Sequence, residues 1–142
     1  MILPDVNLLL YAVNEEARNH RRAKLWLESV LSGIEPVGFV RAVLLAFLRL
    51  STRPGAFNEP LSVEMAFDQI DAWVSQQGAF IVHPGPRHAQ ILRDLLLPLG
   101  IAGDLSSDAY LAALAIEHGA QLCSADSDFA RFPGLKWTNP LA

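Results

Sequence analysis

Four short apolar runs, each reached after a stretch of helical periodicity or a tight bend, constrain the fold of this chain more than any other feature. Val37–Val40, Ala79–Val82, Gln121–Ser124 and Leu135–Trp137 are each three or four residues long. Gly33 and Pro36 precede the first, Gly78 the second and Gly119 the third. Runs of this length between Gly and Pro breakers read as buried strands. Between them, apolar residues recur at helical spacing. Ala23, Trp26, Leu27, Val30 and Leu31 mark a helix over Arg21–Leu31, and others are expected over Arg41–Leu50, after a Ser62 cap, over Arg87–Leu97 and over Asp104–His118. Repeated return from helix to short strand predicts a three-layer α/β domain with a mainly parallel central sheet.

The opening residues fit the same scheme. Ile2 to Leu10 reads as a buried strand that turns into a helix near Asp5 to Asn7, with Pro4 limiting the strand and Leu8–Val13 forming a further buried turn. His88 is expected on a helix surface, and Trp26, Trp73 and Trp137 in or near the core. At 142 residues the chain suffices for one domain, residues 1–142, and 51% hydrophobic against 18% charged content excludes a charged disordered polymer. Charged residues or Pro interrupt every apolar stretch well short of the roughly 20 residues a membrane span needs. With no basic leader and a lone Cys123, a cytoplasmic, reducing location is expected.

The net charge of −4 offers no broad phosphate-binding surface, which shifts attention to local acids that recruit cations. Asp104 and Asp108, four apart, are expected on one helix face, as N-terminal helix acids or as cation ligands. Asp126 and Asp128 leave a strand end, either as an Asp-stabilised turn or as part of a ligand site at the sheet edge. Asp5 sits at another strand end among apolar residues, where a carboxylate needs hydrogen bonds or a positive partner. Asp5, Asp108 and Asp126 offer hard oxygen ligands suited to Mg²⁺ or Mn²⁺, whereas Cys123 and four scattered His form no zinc pattern. Asn7 and Ser124 are placed to hydrogen-bond these acids, or to serve as a helix cap and a strand-end hydroxyl. Arg49 and Arg53, with Arg87 and Arg131 nearer the rim, can make paired contacts to a phosphate or simply face solvent.

Four segments together resemble the PIN-domain ribonucleases of the VapC toxin family. They are Asp5-Val6-Asn7-Leu8-Leu9-Leu10-Tyr11, Phe47-Leu48-Arg49-Leu50-Ser51-Thr52-Arg53-Pro54, Asp108-Ala109-Tyr110-Leu111-Ala112-Ala113-Leu114-Ala115, and Ser124 through Leu135 with its Ala125-Asp126-Ser127-Asp128-Phe129 core. The resemblance implies a three-layer α/β/α PIN-like domain and a Mg²⁺- or Mn²⁺-dependent endoribonuclease toxin leaving 5′-phosphate and 3′-hydroxyl ends. It also implies a VapB-like antitoxin and a VapC-like homodimer. It makes Asp5, Asp108 and Asp126 the catalytic, metal-binding acids and Asp128 an additional one. Many relatives carry a Glu just before the Phe-Leu-Arg segment, where this chain has Ala46. Asp104 is the candidate to replace that charge. A catalytically weakened PIN-like protein that binds RNA or antitoxin is the alternative that Ala46 keeps open.

Overall fold

The computed structural model describes all residues, Met1–Ala142. Five strands, β1 (Ile2–Pro4), β2 (Val37–Val40), β3 (Ala79–Val82), β4 (Gln121–Cys123) and β5 (Lys136–Thr138), form one sheet. Their order is β3-β2-β1-β4-β5, and every neighbouring pair is parallel. Six α-helices connect them: α1 (Val6–Val13), α2 (His20–Leu31), α3 (Arg41–Ser51), α4 (Val63–Val74), α5 (His88–Leu96) and α6 (Ser106–His118). Helices α1 to α4 pack among themselves and α5 packs on α6, giving helical layers on the two faces of the sheet. A parallel sheet covered on both sides needs strands without polar alternation, and all four residues of β2 are buried. No helix is long and apolar enough to cross a membrane.

This strand order has a functional consequence. From β1 the chain builds outward through β2 and β3, then crosses back to place β4 on the other side of β1. The winding reverses between β1 and β4, so the connections leaving their carboxyl ends diverge and open a crevice there. Asp5 immediately follows β1, and Ser124 immediately follows β4.

Pro4 is tolerated in the central strand because the ladder resumes at once: the Asp5 backbone N–H donates to the Cys123 carbonyl at 2.9 Å. In the core, Trp73 of α4 stacks on Phe39 of β2 at a 6.3 Å ring separation and meets Phe47 of α3 edge-on at 4.9 Å. Gly38 lies where β2 passes closest to its neighbours. A Cβ there would run into Val82 Cγ2 and come within 2.7 Å of Leu3 Cδ2. Gly38→Ala is therefore expected to destabilise the protein by ~1–3 kcal/mol, read as a lower urea midpoint at unchanged slope.

Several local expectations are corrected. Leu8–Val13 continues α1 rather than forming a buried turn, because the Asp5 carboxylate caps the helix that starts at Val6. The last helix begins at Ser106, not Asp104. Gly103, at φ +41°, opens a separate 3₁₀ turn over Gly103–Leu105 that the α-helix then follows. Asp104 therefore does not share an α-helical face with Asp108; it is exposed, and no hydrogen bond or ion pair engages its carboxylate. His88 is buried rather than on a surface, with Nε2 3.0 Å from the Tyr110 carbonyl and its ring edge-on to Tyr110. The Ser62 cap is present, its hydroxyl accepting from the Met65 N–H at 3.1 Å.

Candidate active site

At the β1/β4 crevice the polar side chains are tied into one network. Asp5 is 8% exposed, and both its oxygens are held. Oδ1 accepts from the Val6 N–H at 2.7 Å, and Oδ2 accepts from the Ser124 hydroxyl at 2.7 Å. The fully buried Ser124 Oγ also accepts from Asn7 Nδ2 at 3.0 Å and from the Asp126 N–H at 3.0 Å. Asn7 Oδ1 closes the ring by accepting from the Ala125 N–H at 3.2 Å. Residues 5 and 7, after one strand, are thus clamped to residues 124 to 126, after the other. The indole of Trp137 on β5 donates to the Ser124 carbonyl at 3.1 Å and steadies the second loop.

The acids converge on this network. Asp126 accepts from the Asp128 N–H at 2.9 Å and caps the 3₁₀ turn Ser127–Arg131, so the turn role expected of this loop coexists with its place in the crevice. Asp108 arrives from the first turn of α6. Carboxylate oxygens of Asp108, Asp126 and Asp128 lie within 4.8 Å of one another. Burial pushes the Asp108 carboxyl up to about 6, helped by the negative charges of Asp126, Asp5 and Asp128 and opposed by Arg131. Asp5 is also raised, by burial first; its Ser124 and Val6 hydrogen bonds pull the other way, and Asp126 adds to the rise. Like charges this close disfavour ionisation until a cation joins them. Oxygen-only donors of this kind suit a hard divalent ion such as Mg²⁺ or Mn²⁺ rather than zinc.

Beside the acids, a cleft of about 470 Å³ runs between α3 and the start of α6, bordered by Asp5 and Asp108. Ala46 and Arg49 line it, as do Ser106, Ser107 and Tyr110, which the sequence did not single out. Small polar residues at a helix start were the available signal for the two serines. Asp104 and Arg53 do not line the cleft, and Asp104 is not among the three clustered acids, so nothing places it to replace the carboxylate missing at Ala46. Arg131 pairs with Asp128 at 3.3 Å on the exposed rim. Arg87 is turned away, with Nη2 donating to the Glu117 carbonyl at 3.0 Å.

Comparison with known proteins bears on the family and the fold. Residues 2–135 match the profile of the PIN domain. The chain is 46% identical to ribonuclease VapC37 of Mycobacterium tuberculosis over 142 residues, covering 100% of this chain and 99% of that protein. It is 43% identical to ribonuclease VapC33 of the same species over 141 residues, covering 99% of each. Among solved structures, VapBC2 from Rickettsia felis, bound to a DNA fragment from its promoter, superposes with a TM-score of 0.73 at 21% identity, covering 98% of each chain. VapBC-1 from nontypeable Haemophilus influenzae does so at 0.72 and 16% identity over 100% of each chain. At such identities, these structural matches establish the common fold.

Proposed function

The chain belongs to the PIN-domain ribonuclease family of the VapC type, and from that premise we propose that it is a divalent-metal-dependent endoribonuclease toxin acting as one domain on cytoplasmic RNA. The observation that carries this reading is the convergence of Asp108, Asp126 and Asp128 beside a buried, doubly held Asp5 at the winding-reversal point of the sheet. Asp108, Asp126 and Asp5 are the catalytic acids of the proposal, and Asp128 is an additional one on the solvent side.

Four acids whose one basic partner, Arg131, pairs with Asp128 on the exposed rim fit a Mg²⁺ or Mn²⁺ ion. Such an ion, once bound, supplies Lewis acidity to the scissile phosphate and to the attacking water. The chain's own residues do the positioning. Ser124 fixes one Asp5 oxygen and the Asp126 backbone with the same hydroxyl, so the two loops keep their spacing. Asn7 bridges the same loops, and its Nδ2 also donates to Asp5 Oδ2 at 3.4 Å. Asp108, partly protonated near pH 6 without a cation, would give up that proton when a cation binds. Arg49 is proposed to meet an RNA phosphate along the cleft. Arg53 is exposed and lies outside the cleft.

A VapB-like antitoxin and a homodimer complete the reading, supported by the family and by a fold shared with VapBC assemblies. An antitoxin helix that placed an Arg against the acids would neutralise the cluster and block the cleft. Ala46 favours one competing reading, a chain that keeps the fold and partner while hydrolysing RNA weakly. Cleavage of single-stranded RNA in Mn²⁺, set against chelator and against Asp126→Asn, separates the two. Cleavage lost in both controls while the variant stays folded supports the nuclease; Mn²⁺ binding without any cleavage by the unmodified chain supports the weakened protein.

A further inference from the structure

Arg131 combines a fixed backbone with a loosely held head. It closes the 3₁₀ turn Ser127–Arg131, which the Asp126 carboxylate caps. Phe129 and Phe132, both buried, anchor the chain in the core on either side of it, their ring centroids 6.1 Å apart. Side chains three apart in such a turn stand one above the other, which brings Arg131 over Asp128. Its guanidinium makes a single contact there, Nη2 donating to Asp128 Oδ1 at 3.3 Å, and both side chains are about half exposed. One long bond at the surface, in place of the paired short bonds that a guanidinium and a carboxylate can make, is readily exchanged. Arg131 is nonetheless the one cation paired with any of the four acids, and its charge also acts on Asp108.

We propose that Arg131 is a phosphate-binding residue of this site, paired with Asp128 in the metal-free chain and passed to an RNA phosphate oxygen once a divalent ion takes up the Asp128 charge. This deepens the ribonuclease reading and rests on it. Charge balance supplies the reason. Four ionised acids outweigh one divalent ion by two charges, so a negative phosphate meets residual repulsion unless a further cation stands beside the site. Arg131 stands there already, and its planar fork suits a phosphate as well as a carboxylate. Arg87 has no such freedom, because its Nη2 is committed to the Glu117 carbonyl. The exchange also separates this role from that of a brace. A cation that competes with the metal for Asp128 lowers metal affinity, whereas a brace that holds Asp128 ready for the metal raises it.

Binding of a labelled 12-nucleotide single-stranded RNA is measured by fluorescence anisotropy at several salt concentrations, with Ca²⁺ replacing Mg²⁺ so that the strand stays whole. Mn²⁺ binding without RNA is followed by calorimetry. Arg131→Met should weaken RNA binding on the order of 10-fold and make its salt dependence shallower by about 0.7, the share of one phosphate contact on a single strand. The same variant should bind Mn²⁺ roughly 2- to 5-fold more tightly, because the competing cation is gone. Arg131→Lys keeps the charge, so its Mn²⁺ affinity and salt dependence should match the parent, with RNA affinity between the other two. Arg87→Met removes a charge turned away from the acids and should leave the salt dependence unchanged. Weaker Mn²⁺ binding in Arg131→Met would make the ion pair a brace and overturn the proposal. Parent-like RNA affinity in that variant, or an equal change of salt dependence in Arg87→Met, would overturn it too. In each of these cases an unmodified chain that still cleaves RNA in Mn²⁺ leaves the ribonuclease reading standing; one that neither binds nor cleaves RNA overturns both.

Discussion

Asp108→Asn is expected to slow RNA cleavage on the order of 10²–10³-fold and, at the same time, to raise the melting temperature of the metal-free protein. The unfolded carboxyl ionises near 3.8, but in the fold it holds its proton up to about 6. Between these values the folded state binds more protons than the unfolded one. The contribution of Asp108 to stability therefore falls as pH rises through that window and stays low above it. Asn abolishes this loss, so the variant's advantage is absent below about pH 4 and complete above about pH 6. Allowing for the partial solvent access of the group, the gain is roughly 3–8 °C at pH 7. Saturating Mg²⁺ should reverse the order, because the unmodified protein alone gains the full binding energy. Thermal melts at pH 4, 5, 6 and 7 with and without Mg²⁺ check all three statements. A variant less stable than its parent at pH 7 without metal would contradict the picture of a carboxyl held protonated by burial and by its acidic neighbours.

Ser124→Ala is the second change with a large expected effect, on stability and function together. One hydroxyl serves the Asp5 carboxylate, the Asn7 amide and the Asp126 N–H, and it is fully buried. Removing it leaves a buried carboxylate oxygen and a backbone donor short of partners, with a loss of ~2–4 kcal/mol. Metal affinity should fall ~10–100-fold, the range typical when a group that orients a ligand is lost. Urea titration and Mn²⁺ calorimetry read the two effects separately. A stable variant with unchanged Mn²⁺ affinity would mean that the Asp5 carboxylate is held by other contacts.

Much of this arrangement was legible in the sequence, for identifiable reasons. The strands at Val37–Val40 and Ala79–Val82 stood out because a covered parallel sheet removes polar alternation and a Pro or Gly immediately precedes each. Asp5 stood out because a lone acid in an apolar run must be satisfied by something, and Ser124 and Val6 do satisfy it. What stayed hidden depends on backbone geometry or on distant partners. Spacing alone put Asp104 on the face of Asp108, but the positive φ of Gly103 starts a 3₁₀ turn that takes it off the helix. His88 looked like a surface residue because its partner, the Tyr110 carbonyl, lies 22 positions away. Nor does spacing show that Asn7 crosses to Ala125, a contact that exists only because β1 and β4 are neighbours.

In the proposed mechanism the acids at the β1/β4 crevice hold the cation on which RNA hydrolysis depends. The most direct measurement follows Mn²⁺ binding by calorimetry and cleavage of a single-stranded RNA over the same Mn²⁺ range, in the unmodified chain and in Asp126→Asn. Binding and cleavage should rise together in the first and be lost together in the second, whose circular dichroism stays native. Cleavage that persists in Asp126→Asn or in excess chelator, or Mn²⁺ binding that survives the substitution unchanged, would contradict it.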